Sequence, residues 1–325
     1  MEQAHDTARR LPDKHRSRNS NALILTLLLV STAVTAEVNV STLVKLNASG
    51  GLTFGPDGYL YASDFGPRLG PAEESTLVYR VDPESGSHTV FAAGFAGASG
   101  ATFDASGRFY QAEPRGNRVT RINLDGSRDI VAEGLNTPVG VQVDKAGNLY
   151  VCNCGTGEIL RFDTKANRRV LAGSAARLAC PNGLTQDDAG NLYAVTFAAG
   201  KVVKITPAGE LTLLAELPIL QGGPNPVGLG HIAWHKGELF VTAIGAGQVY
   251  GLRDDGSNTR VIAGKAFAFT NVDGTGDQIS FSKPNGIAVS PDGKRLFVNV
   301  SEPAWPTNPA GLHPAALRII SHFRE

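Results

Sequence analysis

From Gly50 onward, the hydrophobic and polar positions fall into one pattern written six times. Its clearest copy is Pro181 to Thr206, where an apolar run leads through a polar tight turn at Gly190 and Asn191 into Leu192-Tyr193-Ala194-Val195. Apolar runs on both sides of such a turn predict a β-hairpin. A further alternating run, Lys201-Val202-Val203-Lys204-Ile205, predicts a third strand. The turn glycine recurs as Gly58, Gly107, Gly147, Gly190, Gly237 and Gly293, at intervals of 40 to 56 residues. Self-similarity at that period predicts a repeat architecture.

The third strand recurs as LVYRVD, RVTRIN, EILRFD, KVVKIT, QVYGLR and ALRIIS. A fourth strand follows each of the first five copies, as in HTVFAAG from His88, RDIVAEG from Arg128 and TRVIAGK from Thr259. After the sixth copy the sequence stops, and the missing strand stands at the other end as Ser41 to Asn47. An N-terminal strand that completes the last sheet closes a ring and removes exposed edges. The expected fold is all-β: a six-bladed β-propeller with four-stranded blades, spanning residues 37–325.

Residues 1–36 read differently. Arg9, Arg10, Lys14, Arg16 and Arg18 precede the apolar stretch Ala22 to Val34, and Val34-Thr35-Ala36 resembles a small-residue cleavage site. That order predicts a signal peptide, with an uncleaved N-terminal anchor as the alternative, and hence a periplasmic or secreted protein. After signal removal no membrane span is expected. The formal charge is zero, with 30 basic and 30 acidic residues. Nucleic-acid binding, which calls for clustered cations, is therefore not expected. Nothing in the pattern calls for an oligomer, and a monomer is expected. Three cysteines fit an oxidising compartment awkwardly, since a bridge from Cys180 to Cys152 or Cys154 would leave an odd thiol, and they read as buried small residues with or without one bridge.

In a propeller, residues just before the first strand and just after the second converge on one mouth of the central channel. Eight positions before the turn glycine stand Gly50, Ser99, Val139, Asn182, Leu229 and Asn285, with Gly230 or His231 reaching the rim if blade five is shifted. Three positions after the aromatic of the second strand stand Asp64, Glu113, Asn153, Thr196 and Ala243, with Asn299 and Glu302 near in blade six. The expected mouth is polar, and convergent polar groups in a concave site mark a binding pocket. His231 and Glu113 are the candidate catalytic base, and Asp64, Asn153 and Asn285 are candidate substrate contacts. His88, His235 and His313 are expected on outer strands or turns. Asp273-Gly274-Thr275-Gly276-Asp277 is half of a calcium-loop pattern, without its bidentate glutamate, and reads better as a loop between blades. Trp305, between prolines, is a candidate stacking or capping residue.

PNGLTQDDAGNLYAV and KPNGIAVSPDGKRLFV, with DGTGDQISFSKPNG leading into the last blade, resemble NHL-repeat propellers and the SMP-30/gluconolactonase/LRE-like superfamily. The resemblance covers Gly50 to the C-terminus. For gluconolactonase-type members it implies one divalent metal in the channel (Ca, Zn or Mg), held by a Glu, an Asn of a P/S-N-G motif and an Asp. Asn182 matches that Asn, whereas Gly50 stands in place of the Glu and Leu229 or Gly230 in place of the Asp. Three functions fit the resemblance: an exported hydrolase of lactones or other small polar substrates, a non-catalytic NHL-type module binding a small molecule, peptide, glycan or protein at the channel mouth, and a streptogramin-lyase-like propeller using His231 and Glu113.

Overall fold

The computed structural model describes residues 37–68, 75–173, 178–221, 227–302 and 311–324. The leader reading of residues 1–36 and Trp305 lie outside the described residues. Among the described residues, no helix is long and apolar enough to cross a membrane.

Six antiparallel sheets follow one another along the chain, as the repeat predicts. Blade four is representative, with strands Pro181–Gln186, Leu192–Thr196, Lys201–Ile205 and Leu211–Glu216 paired in that order. The first strand of each blade touches the first strand of the next, and that of blade six touches blade one, so the ring is closed. Blade six takes Ile287–Val289, Arg295–Ser301 and Ala315–Ser321 from the C-terminal part and Asn39–Lys45 from the N-terminal part, matching the expected closure.

The repeat's turn explains its own sequence. Asp104, Asp144 and Asp187 each open a hairpin turn and accept backbone N–H groups two or four residues on. The other carboxylate oxygen takes the hydroxyl of Tyr110, Tyr150 or Tyr193 at 3.0–3.1 Å. Asx-type turns of this kind satisfy backbone donors that a tight loop would otherwise leave open. The turns end on glycines in the left-handed region, such as Gly190 at φ +87.

The core lies between the blades. Tyr193, Val195 and Val202 of blade four pack on Ile232, Leu239 and Val241 of blade five, and a similar cluster fills each interface. The closure carries its own latch. Asp273 accepts the backbone N–H and hydroxyl of Thr42 from the N-terminal strand and the guanidinium of buried Arg318 from the C-terminal one. Gly274–Thr275 then adds a short fifth strand outside Asn39–Lys45. The half-calcium pattern is thus the loop that fastens the ring.

Candidate functional site

The mouth of the channel holds a cavity of about 170 Å³. Two positional classes from the repeat build its wall. Ser99, Val139, Asn182 and Asn285 come from the starts of first strands, where the sequence places them. Phe65, Pro114, Cys154, Phe197 and Ile244 come from the ends of second strands in blades one to five. These five lie one residue beyond the predicted set. Side chains alternate along a strand, so an offset of one turns every predicted group away from the cavity.

Asp64, Glu113, Asn153, Thr196 and Ala243 accordingly point into the protein, where they are buried. Glu113 accepts the Ala96 amide at 2.7 Å, Nε and Nη2 of Arg118 at 2.9 Å each and the Thr120 hydroxyl. Burial pushes its carboxyl upward, but the bonds from Arg118, Ala96 and Thr120 outweigh it and hold the group below the usual value. Its lone pairs are therefore occupied by the fold. Asn153 accepts the Asn136 amide and donates to Thr156. Asp64 accepts the Gly66 amide and contacts His313 Nε2, both at 2.8 Å. That contact corrects the outer placement expected for His313: it sits beside the mouth, next to Leu312, which lines the cavity.

Blade five is shifted. Leu229 pairs with Ala243 as Pro181 pairs with Thr196, so Gly230, rather than Leu229, matches Asn182, and His231 matches Gly183. The cause is a hairpin one residue shorter: four residues separate paired Trp234 and Leu239, against five between Gln186 and Leu192. His231 thus occupies a ring position at which the other blades carry Gly51, Gly100, Gly140, Gly183 and Gly286. The glycines are required there, since a Cβ on Gly140 would stand 2.3 Å from the Asn182 carbonyl oxygen. The imidazole reaches toward blade two, with Cε1 3.4 Å from where a Cβ on Gly100 would lie. Its Nε2 is buried without a hydrogen-bond partner, and burial pushes its pKa down to about 4. His231 does not line the cavity.

Asn182 and Asn285 do line it. Their Nδ2 groups donate to the carbonyls of Leu229 and Ser49, stapling neighbouring blades and leaving each Oδ1 as the acceptor. Asn299 bridges Gly286 and Gly50 and is wholly structural.

Residues that the sequence reading missed complete the wall. Thr137, Cys180 and Lys283 each precede a proline, adopt φ near +50 and line the cavity. Left-handed backbone in non-glycine residues costs about 1–3 kcal/mol each and concentrates at functional sites. The Thr-Pro, Cys-Pro and Lys-Pro dipeptides at one repeat position were the available signal. Cys180 is bridged to Cys154, joining blades three and four at the mouth, while Cys152 is free, buried and has its thiol pushed up by burial. Lys283 is 4% exposed, donates from Nζ to the Gly311 carbonyl and has its pKa pushed down to about 8 by burial.

The observed mouth is therefore mostly apolar, with one lysine and two amide oxygens as its principal polar groups. Such a set does not suit the hard divalent cation that the resemblance implies, because the oxygens are neutral and an amine shares the space. Among the described residues, no three His, Cys, Asp or Glu side chains cluster as metal ligands.

Fold and site together define a six-bladed propeller with a small-molecule-sized cavity at one channel mouth. Residues 25–168 match the SMP-30/Gluconolactonase/LRE-like region. No curated protein sequence matches the chain. Solved structures of the same fold include a gluconolactonase from Xanthomonas campestris, with 17% identity, coverage of 89% of this chain and 92% of that one, and a TM-score of 0.62. A streptogramin B lyase aligns at 16% identity, over 88% and 98% of the two chains, with a TM-score of 0.59. An auxiliary nutrient binding protein from Bacteroides ovatus aligns at 12% identity, over 88% and 76%, with a TM-score of 0.67. At these identities the likeness is one of fold.

Proposed function

We propose that the protein is a small-molecule-binding propeller whose channel mouth takes a compact, largely apolar ligand carrying an oxygen acceptor and a hydroxyl or N–H donor. The observation that carries this reading is the composition of the cavity wall. Phe65, Val139, Phe197, Leu220, Ile244 and Leu312 supply apolar surface, Lys283 supplies a donor, and Asn182 and Asn285 supply acceptors. Ligand sites combine apolar walls with a few placed polar groups in this way. A volume of about 170 Å³ resembles the ~150 Å³ of an apolar cavity that holds benzene. The Cys154–Cys180 bridge supports an oxidising, periplasmic or extracellular setting.

The test is isothermal titration with 4-hydroxybenzyl alcohol and with glucose, on the folded protein and on Ile244→Trp, which fills the cavity. Saturable binding of the aromatic alcohol that is lost in Ile244→Trp is expected. Binding of glucose in preference to the aromatic, or aromatic binding unchanged in the variant, would sink the proposal.

One observation favours a second reading. His313 Nε2, held on Asp64 at 2.8 Å, is a histidine oriented by a carboxylate, the arrangement of a general base. A metal-independent hydrolase of lactones would then use His313 on a substrate in the adjacent cavity. A lactone panel assayed with and without EDTA decides this: turnover indifferent to EDTA and lost in His313→Gln supports it, and no turnover of any lactone rejects it.

A further inference from the structure

One ring position at the channel mouth is filled from every blade in turn by Gly50, Ser99, Val139, Asn182, Gly230 and Asn285. Ser99, Asn182 and Asn285 belong to blades two, four and six, so the polar groups at this level stand on alternate blades, a third of the ring apart, and all of them line the cavity. Gly50, Val139 and Gly230 between them bring no polar side chain. Hydrogen bonding inside the fold gives each of the polar groups a fixed role. Nδ2 of Asn182 and of Asn285 donates to the carbonyl of Leu229 or Ser49. Reversing either amide would set oxygen against oxygen, so Oδ1 is the atom left over, and it can only accept. Gly230 makes room for one of these oxygens, since a Cβ there would stand 2.8 Å from Asn285 Oδ1. Ser99 is 3% exposed, and among the described residues its hydroxyl meets no hydrogen-bond partner. A buried polar group without a protein partner is uncommon and calls for a bound molecule. Of the three oxygens, that of Ser99 alone carries a proton.

We propose that Ser99, Asn182 and Asn285 recognise a primary carboxamide carried on a compact aromatic group. This rests on the cavity being the ligand site. A primary carboxamide is planar and neutral, and it presents one carbonyl acceptor beside two N–H donors that diverge in its plane. The carbonyl oxygen accepts from the Ser99 hydroxyl. The two N–H groups donate to Asn182 Oδ1 and Asn285 Oδ1, which reach the ligand from different blades. The aromatic ring packs among Phe65, Phe197 and Ile244 of the same wall. A ketone of the same shape would leave both amide oxygens unpaired. A carboxylate would bring no proton to either of them and would set its negative charge against their lone pairs.

Benzamide, acetophenone and benzoate share a ring and a carbonyl carbon and differ only in bearing an amino group, a methyl group or an anionic oxygen. Each is titrated calorimetrically into the folded protein, with 4-hydroxybenzyl alcohol as reference ligand and competitor. Benzamide is expected to bind about tenfold more tightly than either isostere, to compete with the alcohol and to lose its binding in Ile244→Trp. This comparison needs no variant of the three polar residues, so it stands whether or not the blade-stapling asparagines tolerate replacement. Ser99→Ala removes a hydroxyl that the fold does not use, and should weaken benzamide and acetophenone alike, by roughly fivefold, because both offer the same carbonyl. Acetophenone or benzoate binding as tightly as benzamide while the alcohol still binds overturns the carboxamide assignment and leaves the binding site standing. Benzamide affinity unchanged in Ser99→Ala overturns it likewise. If neither the alcohol nor benzamide binds, both fall.

Discussion

Replacing His231 with leucine should remove a specific piece of the protein's acid sensitivity. The imidazole is buried at the ring of glycines, its Nε2 has no partner, and burial pushes its pKa from 6.5 to about 4. A folded-state value below the unfolded one means that the unfolded chain binds the proton more readily. The neutral imidazole's contribution is therefore fully present above pH 6.5, declines as pH falls from 6.5 toward 4, and is flat below that. A shift of about two and a half units at ~1.36 kcal/mol per unit gives about 3 kcal/mol across the window. Urea unfolding of the disulfide-intact protein, followed from pH 7.5 to 4 beside His231→Leu, isolates the effect. His235, also pushed down by burial, is common to both proteins and cancels. The difference between the two stability curves should change by about 3 kcal/mol over this range, in favour of the leucine variant at low pH. Parallel curves would refute the reasoning, because they would mean that the imidazole is solvated or protonated within the ring.

Asp273→Ala should cost about 2 kcal/mol, since it leaves Arg318 buried without its carboxylate, the half-exposed position of Asp273 (45%) keeping the loss moderate; an unchanged urea midpoint would remove the latch from the account of ring closure. Reducing the Cys154–Cys180 bridge, which spans 26 residues, should lower stability by about 3 kcal/mol and weaken 4-hydroxybenzyl alcohol binding, because both sulfurs lie in the cavity wall; titration before and after reductant reads both. Glu113→Gln should lower the melting temperature, because Arg118 loses its carboxylate partner, while leaving the affinity for the aromatic alcohol within about twofold; a selective loss of binding would return Glu113 to the site.

Reading the turn, the third strands and the closing N-terminal strand required local pattern alone. Glycine at a φ of +80, aspartate capping its own turn, and period-two alternation are each decided within a few residues. The first-strand rim was legible for the same reason, and Ser99, Val139, Asn182 and Asn285 stand where counting from the turn glycine puts them. Counting failed wherever a single residue mattered. One position at the end of the second strand exchanged Asp64, Glu113 and Asn153 for Phe65, Pro114 and Cys154. One residue fewer in the blade-five hairpin exchanged Leu229 for Gly230 at the rim and put His231 among the glycines.

The sequence by itself therefore determined the number of blades, their strands and the way the ring closes, because those depend on repeated local signals that reinforce one another six times. The tertiary structure decided which side of each strand end meets the channel. It also decided that His313 lies on Asp64 and that Lys283 stands in an apolar wall. Those facts depend on strand register and on backbone turned left-handed before three prolines, and in a period-two structure an offset of one residue reverses what a side chain faces.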